Sequence, residues 1–174
     1  VTFSKNYELI FPMLDNGRFK GWVCRTNIPD VEQKRKYLYN KGFRRKVSLV
    51  GDYGNNEVLF VVEGFMDRLK FIQFGVDNVV AILGWKMSLH QIEKIKSKKN
   101  IKYIVSALDN DQCGIKGSKY LESVFKEKYV RFAYLKGIKD PGEMSEETFN
   151  KMYRKTMNKI KHKEHEMHGR SKDE

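Results

Sequence analysis

Three carboxylates, Glu63 and the pair Asp109/Asp111, stand where apolar runs end in turns. The first run is Val58-Leu59-Phe60-Val61-Val62, leading into Glu63-Gly64-Phe65-Met66-Asp67. The second is Ile101 to Leu108, leading into Asp109-Asn110-Asp111. Runs of this length, rich in β-branched residues and followed by helical patterns, read as central strands of a parallel sheet. Ligands of open α/β sheets bind beyond the carboxyl ends of such strands. Asp109 and Asp111 are two apart, so in an extended segment both side chains leave one face and can flank one cation. Gly114 and a helical pattern from Ile115 would turn a helix N-terminus toward the same place, which favours an anion there. Asp67 would fall in the first turn of the helix after Glu63. Acids also cap helices and punctuate turns, and any one of these alone is more often a cap than a ligand. Together on two strand ends they suggest Mg²⁺ and phosphate chemistry.

The elements that must position these acids follow from pattern. Residues 7–14 and 18–25 alternate around Asp15-Asn16-Gly17, a hairpin signal. Residues 27–46 are charged and irregular, with a possible helix across 30–38, and a short strand is expected near 47–50. Strand 58–62, helix 66–74, strand 78–82, helix 88–97, strand 101–107, helix 115–127 and strand 130–135 then alternate as a parallel α/β unit. Ser145 and Thr148, with Glu146 and Glu147, predict the start of a C-terminal helix. Residues 160–174 are expected to fray. The expected fold is therefore an open, mainly parallel α/β sheet with helices on both faces. A basic β-hairpin segment (1–50) precedes this unit (51–144), and a C-terminal helix and tail (145–174) follow it.

The chain has 174 residues and a formal net charge of +12, with 40% hydrophobic and 13% aromatic content, which argues for a folded domain. No apolar run reaches membrane-spanning length and no signal pattern opens the chain, so a soluble, cytoplasmic protein is expected. Cys24 and Cys113 sit in unrelated contexts and read as reduced thiols. Residues 16–50 hold ten Lys and Arg against Asp30 and Glu32, a net of +8. Phe19, Trp22, Tyr37, Tyr39 and Phe43 are interleaved, the mixture that a single-strand binding surface needs. An ordinary solvated face is the competing reading. His162, His165 and His168 recur at helical spacing and could bind Zn²⁺, although a charged tail explains them as well. Trp85 with Lys86, just after a strand exit, is balanced between core and ligand contact.

Glu63-Gly64-Phe65-Met66-Asp67 followed by Asp109-Asn110-Asp111-Gln112-Cys113-Gly114 resembles the Toprim domain shared by topoisomerases, primases and some nucleases. Lys139-Asp140-Pro141-Gly142-Glu143 resembles the Lys-Asp-Pro-Asp-Glu segment of bacterial DnaG-type primases. Phe11-Pro12-Met13 through Gly17 to Arg25, Lys36-Tyr37-Leu38, and Leu83-Gly84 with Gln91 are similar to further stretches of that family. The resemblance covers about residues 9–150. It implies synthesis of RNA primers from ribonucleoside triphosphates on a single-stranded DNA template, with Mg²⁺ or Mn²⁺. Asp109 and Asp111 would be metal ligands, Glu63 a ligand or general base, Asp140 a further ligand and Asp67 a supporting acid. The family's basic ridge carries over to Arg25 and Lys36, while Arg44, Arg45 and Lys46 compete for one more position.

The chain departs from that pattern at Gly142, which replaces an Asp. In an extended Asp-Pro-X segment, residues 140 and 142 would share a side while Glu143 turns away. Zinc-binding and helicase-binding regions of the family have no counterpart here, so a replicative helicase would be met through missing regions. With Val1 in place of an initiating Met, a fragment is expected. A DNA-cleaving nuclease or topoisomerase-like enzyme is one rival, although nothing marks a nucleophile among the nine tyrosines. A catalytically weakened nucleic-acid-binding module is the other.

Overall fold

Alternate side chains of strand β4 (Val58–Val62) enter two different cores, and this sets the architecture. Phe60 and Val62 join one apolar cluster, whereas Leu59 and Val61 join the other. The computed structural model describes residues 9–26, 36–133, 135 and 137–170, with side chains through residue 165. Strands β5 (Val79–Ala81), β6 (Tyr103–Ser106) and β7 (Tyr129–Phe132) complete a four-stranded sheet in the order β5-β4-β6-β7, parallel throughout. Helices α2 (Leu89–Lys96) and α3 (Gln112–Val124) cover one face with Ile92, Ile95, Leu121 and Phe125. Helices α1 (Phe65–Gln73) and α4 (Glu146–Arg170) cover the other with Phe71, Phe149, Met152 and Ile160.

Strands β4 and β6 are neighbours whose connections leave in opposite directions, one toward β5 and the other toward β7. A crevice opens beyond the carboxyl ends of such a pair, at the topological switch point. Glu63 follows β4 and Asp109 follows β6, so the chain order alone delivers both acids to that crevice.

A second, antiparallel sheet precedes this unit, with β1 (Leu9–Asp15), β2 (Arg18–Arg25) and β3 (Tyr37–Tyr39) in sequence order. Asn16 and Gly17 both have positive φ (52° and 76°), the geometry of the two-residue turn that matches strand twist. Residues 27–35, which hold most of the possible helix across 30–38, lie outside the described residues. Residues 37 and 38 are in strand, because they pair with Arg25 and Cys24 of β2. The short strand expected near 47–50 reduces to one antiparallel bridge, Val50 to Ala81, after a 3-10 turn at Arg45–Val47. Helix α3 begins three residues earlier than its pattern suggests, because Asp111 caps it. Helix α4 runs through the region expected to fray, up to Arg170, with buried Ile160 holding its later turns to the sheet.

Asp15 fastens the two sheets together. It is 4% exposed, accepts hydrogen bonds from Leu49 N (3.1 Å) and Tyr53 Oη (2.9 Å), and forms an ion pair with Lys94. Removing the carboxylate leaves two buried donors and a half-buried cation without their acceptor. Asp15→Ala is expected to destabilise the fold by about 3 kcal/mol, readable as a lower urea midpoint at unchanged slope.

Candidate metal centre and nucleic-acid groove

A groove of about 810 Å³ runs along the crevice edge. Glu63, Asp67, Asp109 and Asp140 line it from the parallel-sheet side, and Arg25, Lys36, Tyr37 and Tyr39 from the hairpin sheet. The two walls are joined by aromatic packing. Phe65, the first residue of α1, meets Phe11 at 4.9 Å and Tyr37 edge-on at 5.5 Å. The Arg25 guanidinium lies 5.7 Å from the Tyr37 ring centre, so this cation is held over the groove by its neighbour.

Three of the five acids also hold backbone N–H groups at the start of a helix or turn. Asp67 Oδ2 accepts from Gly64 N (2.8 Å), Asp111 Oδ1 from Gly114 N (2.8 Å) and Asp140 Oδ1 from Glu143 N (3.2 Å). For Asp111 and Asp140 the capping and ligand readings do not compete, because each carboxylate spends one oxygen on a backbone N–H that fixes its rotamer and keeps the other, whereas Asp67 is bonded by the backbone of both Gly64 and Gly142. Asp111 is in extended backbone (φ −119°, ψ −179°) and exposed at the rim rather than in the groove lining, where its charge still acts on Glu63 and Asp109.

Glu63 Oε1 and Asp109 Oδ1 are buried with no hydrogen-bond partner. Burial pushes the Glu63 carboxyl up to about 7, and repulsion from Asp109 and Asp111 adds to it. Burial likewise raises Asp67 to about 7 and Asp109 to about 6. Among the described residues no three acidic, His or Cys side chains converge closely enough to enclose an ion as they stand. The donor set is nonetheless all oxygen, negatively charged and under-satisfied, which fits a hard divalent cation whose shell is completed by water or phosphate. His162 and His165 are exposed on α4, and the side chain of His168 lies outside the described residues.

These shifts carry a sign that can be tested. A carboxyl raised in the folded state binds protons that the unfolded chain releases, so its contribution is complete below about pH 4 and is lost as pH rises toward 7. In chelator, the thermal midpoint should therefore fall as pH rises from about 5.5 to 7.5, and millimolar Mg²⁺ should restore it. Overall charge repulsion at low pH acts the opposite way, so the effect is read as the flattening of this dependence in Glu63→Gln, measured by calorimetry.

Asn110, between the two aspartates, is a site residue that the acidic pattern does not reveal. Its N–H donates to Lys139 O (2.6 Å), and its Nδ2 reaches Leu135 O and Ile138 O at 3.2 Å each. These bonds bring the segment carrying Asp140 alongside Asp109. Asp140 itself is extended, as expected before a proline, but Pro141–Glu143 forms a 3-10 turn. Glu143 consequently lines the groove instead of turning away. A Cβ on Gly142 would sit 3.0 Å from both Asp67 Oδ1 and Asp140 Oδ1, so a side chain there would point between two acids. Of the three competing basic residues, Arg45 and Lys46 line a neighbouring cleft, and Arg44 lines neither.

An acidic edge at the switch point of a parallel sheet, facing a basic aromatic wall, is a Toprim-like arrangement, and residues 60–145 match the family model described as Toprim-like. The chain carries the Toprim domain of a DnaG-type primase. It is 35% identical to the DNA primase of Pseudomonas aeruginosa over 152 residues, 79% of this chain and 22% of that protein. The Aquifex aeolicus primase structure (zinc-binding and RNA polymerase domains) superimposes with a TM-score of 0.71 at 25% identity, covering 86% of this chain and 39% of that one. A DnaG primase catalytic domain bound to single-stranded DNA gives 0.62 at 25% identity, covering 84% and 50%. The chain spans a fifth to a quarter of the length of the curated primases it matches. Among the described residues no helix is long and apolar enough to cross a membrane.

Proposed function

We propose that this chain is the metal-binding, nucleotidyl-transfer part of a DNA primase, joining ribonucleotides on a single-stranded DNA template. The observation that carries the reading is the pair of buried, unpartnered oxygens on Glu63 and Asp109, two residues that line one groove together with Arg25 and Lys36. Glu63, Asp109, Asp111 and Asp140 would hold Mg²⁺ or Mn²⁺, which when bound offsets the negative charge of a triphosphate during phosphoryl transfer. Asp67 braces the turn after β4 through its bond to Gly64 N and so fixes the direction of Glu63. Arg25 and Lys36 take strand phosphates on the opposite wall, while Tyr37 and Phe65 keep that wall at a fixed distance from the acids.

The reading is tested by supplying single-stranded template, ribonucleoside triphosphates and Mg²⁺, and resolving the products. Template-dependent RNA is the expected result. Cleaved DNA would replace the reading with a nuclease, and strand binding without either product would leave a binding module. Strand affinity should depend on the groove cations specifically. Arg25→Ala and Lys36→Ala should each reduce the log–log salt slope by about 0.7, the value for one phosphate contact on a single strand. Arg44→Ala should leave the slope unchanged. Equal slopes in all three variants would mean that the basic stretch is only a solvated face.

A further inference from the structure

Beside the acidic groove lies a second cleft of about 470 Å³, lined by Arg45, Lys46, Trp85, Lys86, Leu89 and Tyr120 among others. Leu83 and Gly84 line both spaces, so the two adjoin at that short segment. Trp85 is 43% exposed and Leu89 70% exposed, two large apolar side chains open to solvent along one cleft.

The exposure is not that of a loose loop. The walls are fastened by Gln91, itself 1% exposed, whose Nε2 donates to Ser48 O (2.7 Å), Ile82 O (3.0 Å) and Arg45 O (3.4 Å). Its Oε1 accepts from Ser88 N (2.9 Å), and Ser88 Oγ donates to Lys46 O. The Trp85 carbonyl lies against Gly117 of α3, only 2.1 Å from where a Cβ on that residue would be. The backbone of Trp85 is thus clamped while its indole is presented outward. Leu83 adopts φ 58°, a left-handed conformation that a branched-chain residue rarely takes, and this turns the chain toward the cleft.

Three cations and no acid line the cleft. Positive charge beside an exposed, rigid aromatic is the combination that binds unstacked bases with their phosphates. The absence of carboxylates from the lining separates this place from the metal-dependent handling of a triphosphate next door. We propose that this cleft is a stacking subsite for one unpaired base of single-stranded DNA, with Trp85 as the platform and Arg45, Lys46 and Lys86 taking the flanking phosphates. A strand crossing Leu83–Gly84 is then held one subsite away from the acids. The inference rests on the nucleic-acid reading of the groove.

The test uses Trp22→Phe protein, in which Trp85 is the remaining tryptophan, titrated with a short oligothymidylate and separately with GTP. Binding is followed in parallel by anisotropy of the labelled strand. The oligonucleotide should quench Trp85 fluorescence saturably at the anisotropy midpoint, whereas GTP alone should not. Trp85→Ala should weaken strand binding at least about fivefold, and Trp85→Phe should restore most of it; thermal melts establish that both variants are folded. Strand binding with unquenched fluorescence and unchanged affinity in Trp85→Ala would overturn the subsite while leaving the role of Arg25 and Lys36 intact. Quenching by GTP alone would reassign the cleft to a free nucleotide. No strand binding by the parent protein would remove this inference together with the reading beneath it.

Discussion

Glu63→Gln is expected to lower nucleotidyl transfer by about 10²- to 10⁴-fold while making the metal-free protein more stable. The two effects have one cause. Glu63 Oε1 is buried without a partner, and its charge is opposed by burial and by Asp109 and Asp111. Glutamine keeps the shape and removes the charge, so the repulsion relaxes in the absence of metal. The same change takes away an oxygen that the proposed reaction requires as ligand or base. Loss of activity with a rise in thermal midpoint in chelator would distinguish this from a damaged fold, which would lower both. A variant with normal product yield would remove Glu63 from the reaction.

Gly114→Ala should lower activity about a hundredfold from a position that touches no substrate. By helix propensity alone the change would add roughly 0.8–1 kcal/mol of stability, since Gly114 lies inside α3. Packing decides the other way. The new Cβ would stand 1.9 Å from Asp109 O, 2.8 Å from its carbonyl carbon and 3.0 Å from its nitrogen. All three are backbone atoms, so no rotamer change can make room, and the 109–111 turn must move by an ångström or more. A displacement of that size costs about a hundredfold in a positioned reaction, and overpacking adds about 1–3 kcal/mol of destabilisation. The measurement is activity beside thermal midpoint; a variant more stable than the parent with unchanged activity would mean that α3 does not press on Asp109.

Much of this could be read from the sequence because the governing signals are local. The Asn16-Gly17 turn requires two positive φ values, and β4 and β6 announce themselves as apolar runs that end in acids. What escaped reading depends on contacts between distant segments. Asn110 looks like turn filler until its bonds to Leu135, Ile138 and Lys139 are seen. The start of α3 is hidden because Asp111 serves as cap and acid at once, and Gly114 resembles a loop residue although it is helical. Glu143 departs from the extended expectation because extension stops at the proline, where a single 3-10 turn reverses its direction. Residues 47–50 have the composition of a strand, yet only Val50 finds a ladder partner, because the preceding turn and Asp15 claim the rest. Gln91 stands out in the sequence only through its resemblance, with Leu83-Gly84, to the family pattern; its part in joining Arg45, Ser48 and Ile82 depends on distant contacts.

The central claim, that Glu63 and Asp109 face a common divalent metal, is tested most directly by calorimetric titration of Mn²⁺ into the protein with and without a nucleoside triphosphate. The acids line an edge and do not enclose an ion as they stand, so binding should be weak alone and much tighter when phosphate oxygens complete the shell. Asp109→Asn and Glu63→Gln should each weaken the nucleotide-assisted isotherm at least about tenfold, with their melts showing a folded protein. Isotherms in both variants that match the parent would contradict the account, because the metal would then be held somewhere other than the edge these two carboxylates form.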